Sequence, residues 1–450
     1  MARPVRQTFL TNALIGGRPL PLLLQRNFTL DRLRALAHVA VTNCSLRPQA
    51  PVKSHERLLF LSGSVPPLPY GSAVIVANLA QQFSRDEMVI TGERPRWGPA
   101  MSWRQEWPEL VYSISGWPRA WPHRGVGWWR TLQFPLLLFN CVRLVRKHRC
   151  TGILVVLGSE AFLLAGYLTA VCTGTKLFPY FHDTYVENRR GLSLRFARWL
   201  QTRVFARASH VFVMSEGVVE LYRERYPGVK CSALPHSFNK VLPDFSPPPE
   251  PGSVLRFAMC GTISEASEDA TLRLCQAIAQ VKEASLMILS ATPSGSLRRL
   301  GVLRDGVRHE TVSPDQVVPR LGSADIVVLP LGLRGPLSPE EYRTAFPTRT
   351  IEYLLCGRPI LAHAPADWYL TRFLKQHDCA LLVTEPSVSA LLQAVEQLRA
   401  DQALRARLVR NALRAAKMFD ARRVARILRS HLGLTDHSAR LEGHGGQALR

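Results

Sequence analysis

Clustered cysteines are missing from this sequence of 450 residues. Its nine cysteines lie singly, without a Cys-x-x-Cys pair or a His/Cys cluster. A structural zinc site needs such a cluster, and an odd number of scattered cysteines does not indicate a disulfide framework. The pattern therefore predicts a reducing compartment and no structural zinc.

Acidic residues are scarce as well, because 34 Asp and Glu stand against 57 Lys and Arg, for a formal net charge of +23. Such a surplus favours an anionic partner: nucleic acid, phospholipid head groups or a phosphorylated substrate. Arginine carries nearly all of it, so a coding bias towards GC-rich codons explains part of the excess equally well. The sequence has no recognised nucleic-acid motif, and we expect no nucleic-acid partner.

No apolar run makes a convincing membrane span. Residues 153–172 approach the required length but carry Glu160 near the middle, which would be costly in hydrocarbon. A buried strand followed by a helix from Glu160 accounts for them better. Residues 132–145 are too short to span and lead into the basic segment 143–149, which predicts an amphipathic helix with a basic end.

The two ends of the chain differ in composition from the rest. Residues 1–55 are rich in Arg and Leu and poor in acids. A transit peptide and an upstream extension from a misplaced start codon share this composition, and we favour a poorly ordered extension. Residues 434–450 are polar and glycine-bearing, and we expect a mobile tail.

Short apolar runs alternate with helical patterns between these ends. Residues 56–242 contain the runs RLLFLSG, EMVITG, ELVYSIS, ILVVLG, KLFPYFHD, HVFVMS and KCSALPH. The proline-dense segment 243–253 favours neither strand nor helix, so it predicts a domain boundary. A second alternation fills residues 254–419, and a helix is expected over 420–433.

This alternation predicts an α/β protein with two Rossmann-like, doubly wound domains that face one another across a cleft. Ligands of open parallel sheets bind at the loops after the strands. The residues that bind ligands are therefore expected in those loops.

The first such loop runs from Pro66 to Ser72. Gly71 permits a close approach of the backbone to phosphate, and Ser72 suits a helix N-cap. A plain strand-to-helix turn is the alternative, because the loop is neither a P-loop nor a Gly-x-Gly-x-x-Gly motif.

His182 and Asp183 follow another apolar run directly. A histidine there can polarise the substrate or handle a proton, and a neighbouring acid can orient it or bind hydroxyls. A purely structural histidine is the alternative. Ser215, after the next run, resembles a helix N-cap.

Gly261 and Thr262 follow the first run of the second domain, where glycine admits a diphosphate and threonine can donate to it. A denser cluster begins at Pro347 and Thr348, which are expected to start a helix whose amides meet phosphate together with Arg349. Glu352 can accept two ribose hydroxyls. An ordinary helix with a salt bridge is the alternative.

The segment FPTRTIEYLLCGRPIL resembles the donor-binding helix of the GT-B glycosyltransferases, especially the large retaining group 1 family of bacterial mannosyl, glucosyl and polysaccharide-assembly transferases. The resemblance runs from about Leu58 to about Leu432, and PPLPYGS and FHD look like the family's first loop and its sugar-contacting histidine. It implies that Thr348 and Arg349 bind the diphosphate, that Glu352 binds the ribose, and that the last helix returns to the first domain.

The chain departs from the family at two places. The first of the family's two glutamates is replaced by Thr344, and its Arg and Lys after the first strand of the second domain are replaced by Thr262, Ile263 and an acidic stretch that includes Glu265. Arg349, with Arg334 or Arg343, is then expected to neutralise the diphosphate.

The resemblance implies sugar transfer from a nucleotide diphosphate sugar to a glycan, a lipid-linked molecule or another acceptor, with retention of configuration. No cofactor is expected. The sequence has no Asp-x-Asp, which argues against the metal-dependent single-domain transferases. Two rivals stay open: a nucleotide-sugar epimerase or hydrolase, and a catalytically silent GT-B binding protein.

We expect a cytoplasmic protein that docks on anionic lipid at the cytosolic face of a membrane, because residues 143–149 and 189–190 are basic. The Trp-rich segment 97–129 suits stacking on sugar or lipid, or an insertion packed on itself.

Overall fold

A computed structural model describes residues 56–68, 71–95, 102–116, 126–263, 267–332 and 337–434. The interpretations of residues 1–55 and 435–450, of Glu265 and of Arg334 lie outside the described residues. So do Pro69 and Tyr70 of the first loop, and residues 97–101 and 117–125 of the Trp-rich segment.

The first unit is built on a seven-stranded sheet with the order β3-β2-β1-β4-β5-β6-β7. Strands β1 and β4 are buried along their whole length, as expected for apolar strands of a parallel sheet covered on both faces. The strands are β1 (Leu58–Ser62), β2 (Met88–Arg94), β3 (Glu109–Ser115), β4 (Gly152–Val156), β5 (Lys176–Phe181), β6 (Val211–Val213) and β7 (Cys231–Ala233).

Helices follow the strands of this unit, as the alternation predicts. They are α1 (Ser72–Ala80), α2 (Val126–Leu132), α3 (Phe134–Lys147), α4 (Glu160–Thr173) and α5 (Gly191–Arg207). Residues 153–172 thus form a strand and a helix, which confirms the prediction. The amphipathic helix predicted over 132–145 corresponds to α3, which begins at Phe134 after the N-cap Gln133 and carries Pro135 in its first turn. No helix in the described ranges is long and apolar enough to span a bilayer.

The second unit is built on a six-stranded parallel sheet with the order β10-β9-β8-β11-β12-β13. Its strands are β8 (Leu255–Cys260), β9 (Ala284–Leu289), β10 (Val307–Glu310), β11 (Ile326–Pro330), β12 (Ile360–His363) and β13 (Leu381–Val383). Two Rossmann-like units, predicted from the alternation, are therefore confirmed.

Helices of the second unit cover both faces of this sheet with two apolar clusters. The helices assigned to the second unit are, in chain order, α6 (Glu216–Arg225), which contributes to neither cluster, α7 (Glu268–Ile278), α8 (Ser294–Arg299), α9 (Val317–Leu321), α10 (Pro339–Thr344), α11 (Thr350–Leu355), α12 (Tyr369–Gln376), α13 (Val388–Ala400) and α14 (Gln402–Ala416).

The division of the chain differs from the predicted boundary. Residues 243–253 form neither helix nor strand. The second unit nevertheless comprises residues 213–228 as well as 233–424. The reason is local packing: Ser215 caps α6 as predicted, and its Oγ also donates to the carbonyl of Thr344 at 2.7 Å, which ties α6 to α10.

The last helix, α15 (Ala421–Leu432), belongs to the first unit from Ala425 onwards. Its Arg429 pairs with Glu87, and its guanidinium lies 4.4 Å from the ring centroid of Phe83. Arg429 also donates to the carbonyl of Gln82 at 2.8 Å. These contacts fix the helix against the segment that connects α1 to β2.

Candidate active site

The strand order of each sheet reverses once, between β1 and β4 in the first unit and between β8 and β11 in the second. The connections on either side of such a point leave towards opposite faces, which opens a crevice at the carboxyl ends of the strands. The predicted site residues lie at these two places.

In the first unit, His182 and Ser72 come together across the first reversal point. His182 follows β5, and its Nδ1 lies 3.0 Å from Ser72 Oγ at the start of α1. The ring of Tyr180 meets the imidazole edge to face, with the centroids 4.5 Å apart. Both partners thus hold the imidazole in one orientation at the carboxyl end of the sheet.

The predicted N-cap role of Ser72 is wrong. Gly71 is the N-cap, with φ at 59°, and Ser72 is the first helical residue. A positive φ suits glycine, which explains why the cap falls there. The Ser72 hydroxyl is consequently directed to His182 instead of the helix amides.

Asp183 lies beside a pair of charged residues. The residue as a whole is exposed, but burial of its carboxyl group against the surrounding protein raises the pKa of that group, and the positive charge of Arg189 lowers it by less. Arg189 Nε donates to Glu160 Oε1 at 3.1 Å. Asp183 therefore sits at the edge of a small charged network that α4 and the loop after β5 share.

In the second unit, the helix after Pro347 begins later than predicted. Helix α11 starts at Thr350, and Arg349 is its N-cap. The amide of Thr350 donates to the carbonyl of Pro347 at 2.9 Å, so residues 347–350 form a tight turn. Pro347 and Thr348 thus precede the helix, and the exposed Thr348 lies in this turn.

Arg349 links the two strands on either side of the second reversal point. Its Nη1 donates to the carbonyl of Thr262 at 3.1 Å, beyond the end of β8, and its Nη2 donates to the carbonyl of Pro330 at 3.2 Å, at the end of β11. Its Nε is buried, and no acceptor for it exists among the described residues. The guanidinium is therefore held rigidly with one donor unused.

Gly261 makes room for this arginine. Its φ is +100°, and a Cβ added there would lie 2.6 Å from Arg349 Cδ. The Gly261 amide donates to the carbonyl of Leu289 at 2.9 Å, so it extends the sheet and is not available to a ligand. Thr262 is exposed at the surface of the same turn.

Glu352 lies one turn into α11 and is half-buried. Its Oε2 is inaccessible to water and has no hydrogen-bond partner among the described residues. Burial raises the pKa of this carboxyl, and the positive charges of Lys240 and Arg349 lower it by less. A half-buried carboxylate with a free acceptor is suited to bind hydroxyl groups.

Sequence reasoning missed two residues beside Glu352. The Tyr353 hydroxyl accepts from the Cys260 amide at 2.8 Å and donates to the carbonyl of Val328 at 3.0 Å, which pins α11 to β8 and β11. The sequence did contain a signal for Tyr353, because it directly follows Glu352 in the motif. Lys240 supplies charge from a distant loop, and no sequence pattern indicates that.

Thr344, at the place of the family's first glutamate, has a structural role here. The residue is buried at the end of α10, and its hydroxyl donates to the carbonyl of Glu340 at 2.8 Å. Its own carbonyl accepts from Ser215, as described above. With these bonds, the buried Thr344 anchors the last turn of α10 and connects it to α6.

Comparison with known families identifies part of the chain. Residues 255–401 match the family model of glycosyl transferases group 1. A search of curated protein sequences finds no match to this chain.

Solved structures share the fold of most of the chain at low sequence identity. Sucrose-phosphate synthase from Thermosynechococcus elongatus has a TM-score of 0.61 at 15% identity, over 84% of this chain and 100% of that one. HepE from Anabaena, in complex with UDP and glucose, has a TM-score of 0.60 at 16% identity, over 85% and 100%. The lipopolysaccharide outer core galactosyltransferase WaaB has a TM-score of 0.56 at 14% identity, over 84% and 99%.

Proposed function

We propose that this protein, which shares the GT-B fold and matches the group 1 glycosyl transferase family model at residues 255–401, transfers a hexosyl group from a nucleoside diphosphate sugar. The acceptor is a hydroxyl of a glycan or a lipid-linked molecule. The reaction retains the anomeric configuration and needs no metal ion. We place the enzyme in polysaccharide biosynthesis, in the cytoplasm and peripheral to the cytosolic face of a membrane.

The main support for the proposal is a pair of polar atoms without hydrogen-bond partners at the N-terminal end of α11. Arg349 Nε and Glu352 Oε2 are buried and have no partner in the described part of the chain. Leaving such atoms unsatisfied costs about 1–3 kcal/mol each. A nucleoside diphosphate offers the complementary groups, since its phosphates accept from arginine and its ribose hydroxyls donate to a carboxylate.

The chemistry follows from charge. The bond between the anomeric carbon and the diphosphate oxygen breaks, a bond from that carbon to the acceptor oxygen forms, and the acceptor proton passes to the departing phosphate. Negative charge grows on the diphosphate during this step. Arg349, held by backbone carbonyls before the donor arrives, stabilises that charge without reorganisation, which is why we propose that no metal is required.

His182 and Asp183 are assigned to the sugar and acceptor side. The Ser72 contact holds the imidazole at the carboxyl end of β5, where it can polarise a sugar hydroxyl. HepE was solved with UDP and glucose, so UDP-glucose is the first donor to test.

The test is a calorimetric panel of UDP, GDP and ADP with their hexose conjugates, followed by product analysis with the donor that binds. Selective binding of one nucleotide would support donor binding, and transfer that persists in EDTA would support a reaction without a metal ion. An NMR anomeric coupling constant that is the same in the donor and the product would support retention of configuration. Binding of no nucleotide would indicate a silent binding protein, and donor turnover without acceptor would indicate an epimerase or hydrolase.

Donor affinity is expected to depend on pH through Glu352. Its raised pKa means that the carboxylate becomes protonated at a higher pH than an ordinary glutamate, so donor affinity falls as pH decreases through that raised pKa. Above it the affinity stays constant. Glu352→Gln should weaken binding about 10- to 100-fold and remove this pH dependence, because a hydrogen bond to a charged group contributes about 1.5–3 kcal/mol.

The exposed Glu396, on α13 of the same unit, provides the matched control. Glu396→Gln should keep the wild-type affinity and the wild-type pH profile in the same titration. An unchanged profile in Glu352→Gln would exclude the ribose-binding role.

A further inference from the structure

The first unit exposes large apolar side chains on three of its helices, α2, α3 and α5. Leu132, at the end of α2, is 69% exposed, and Leu136 and Phe139 in α3 are 50% and 64% exposed. On α5, Leu192 is 59% exposed and Phe196 is 39% exposed. Several such residues grouped on neighbouring elements typically mark an interaction site.

Topology places these helices on one side of the sheet. Helix α3 joins β3 to β4, α4 joins β4 to β5 and α5 joins β5 to β6, and all three connections step across the sheet in the same direction. Right-handed crossovers therefore put them on the same face. Helix α4 contacts both α3 and α5 and lies between them. We call the outer surface of α3 and α5, with Leu132, the α3/α5 face.

The apolar and basic residues of this face are segregated along α3. Leu136 and Phe139 occupy its first two turns, whereas Arg143, Arg146 and Lys147 are exposed in its last turns. Because a crossover helix begins near the carboxyl ends of the strands, the apolar turns lie at the same edge of the sheet as His182. The basic turns lie towards the opposite edge.

Helix α5 mixes the two kinds of residue more closely. Arg195, Arg198 and Arg203 are exposed along it. The guanidinium of Arg203 lies 5.0 Å from the ring centroid of Trp199, and that ring stacks on Phe196 with the centroids 5.6 Å apart. Aromatic rings combined with arginine suit the boundary between lipid head groups and hydrocarbon.

Charge on the two helices has a single sign. Residues 126–150 and 189–208 contain no Asp or Glu. A protein partner would need an acidic surface and an apolar surface in matching positions. An anionic bilayer supplies phosphate and hydrocarbon side by side everywhere.

We propose that the α3/α5 face docks on the surface of an anionic lipid bilayer. The apolar first turns of α3 and α5 enter the head-group region, and the exposed arginines and Lys147 contact lipid phosphates. The proposal rests on the proposed function in one respect: docking would bring a lipid-linked acceptor to the edge of the sheet where His182 lies. The docking itself does not require a donor.

Co-sedimentation of the full chain with phosphatidylcholine vesicles, with and without phosphatidylglycerol, tests it. We expect binding only to the anionic vesicles. The triple variant Arg143→Gln, Arg146→Gln, Lys147→Gln should bind at least tenfold more weakly. The variant Leu136→Ser, Phe139→Ser should keep binding at low salt and lose it at 150 mM salt, where attraction by charge alone is screened.

A matched control distinguishes the effect of charge on this face from the effect of the net charge of the chain. Arg414, Lys417 and Arg423 are exposed cations of the second unit, and replacing all three with Gln removes the same charge. This control should bind like the wild type. Equal weakening in the two triple variants, or no preference for phosphatidylglycerol, would overturn the proposal.

Two further measurements identify the alternatives. A wild-type dimer in light scattering that Leu136→Ser, Phe139→Ser converts to a monomer would make the face a contact between copies and overturn lipid docking. Calorimetry with the nucleotide panel on the same variants should show unchanged donor affinity. Vesicle binding without any donor binding would leave docking intact and reject the proposed function.

Discussion

Replacing Arg349 with alanine is expected to lower donor affinity by at least a hundredfold and to reduce the free energy of unfolding by about 2 kcal/mol. Both effects have one cause. The guanidinium donates to carbonyls at the ends of β8 and β11, and in the proposed function it also supplies the positive charge for the diphosphate. Calorimetry with the donor and urea denaturation without it measure the two losses separately.

Arg349→Lys distinguishes charge from geometry. Lysine keeps the positive charge but cannot bridge both strand ends in the same way, because it lacks the planar fork of donors. We expect a smaller loss of affinity than for alanine and a similar loss of stability. Wild-type affinity in Arg349→Ala would show that another residue neutralises the diphosphate.

Gly261→Ala is expected to damage the same site without replacing either of the proposed donor-binding residues, Arg349 and Glu352. The added Cβ would lie 2.6 Å from Arg349 Cδ, and the φ of +100° is unfavourable for alanine. We expect a loss of stability of about 3 kcal/mol or more, since strain and overpacking each cost about 1–3 kcal/mol. Donor affinity should fall with it, because the arginine must move.

Gly357→Ala is the matched control in the same unit. Gly357 also has a positive φ, at +66°, but a Cβ there would meet nothing within 4 Å. It should cost about 1–2 kcal/mol and leave donor affinity unchanged. In the double variant Gly261→Ala, Arg349→Ala the loss of stability should be smaller than the sum of the losses in the two single variants. The reason is that the alanine at position 261 no longer meets the arginine side chain. Equal effects of the two glycine variants, or strict additivity, would contradict this account.

Much of the fold was predictable because buried parallel strands must be apolar along their length. Runs such as ILVVLG and IVVLPL became β4 and β11, and Glu160 marked the start of a helix. These signals are local. Each depends on whether a segment of five to fifteen residues can bury its side chains, which the sequence states directly.

The details of the site were harder because they depend on contacts between distant segments. Ser72 was expected to cap its own helix, but His182, 110 residues away, lies within hydrogen-bond distance of its hydroxyl. Arg349 was expected to point towards phosphate from a helix start, and its contacts with Thr262 and Pro330 were not foreseen. No local preference determines which distant partner a polar side chain finds.

The division of the chain into units has a practical consequence for dissecting the enzyme. The backbone passes from one unit to the other after Phe212, Gly228, Ser232 and Val424. A single cut at the proline-dense segment 243–253 would leave α6 on the wrong fragment and separate α15 from Glu87. Chimeras that exchange the second unit with that of another GT-B protein therefore need to transplant two separate stretches, residues 213–228 and 233–424, as one block.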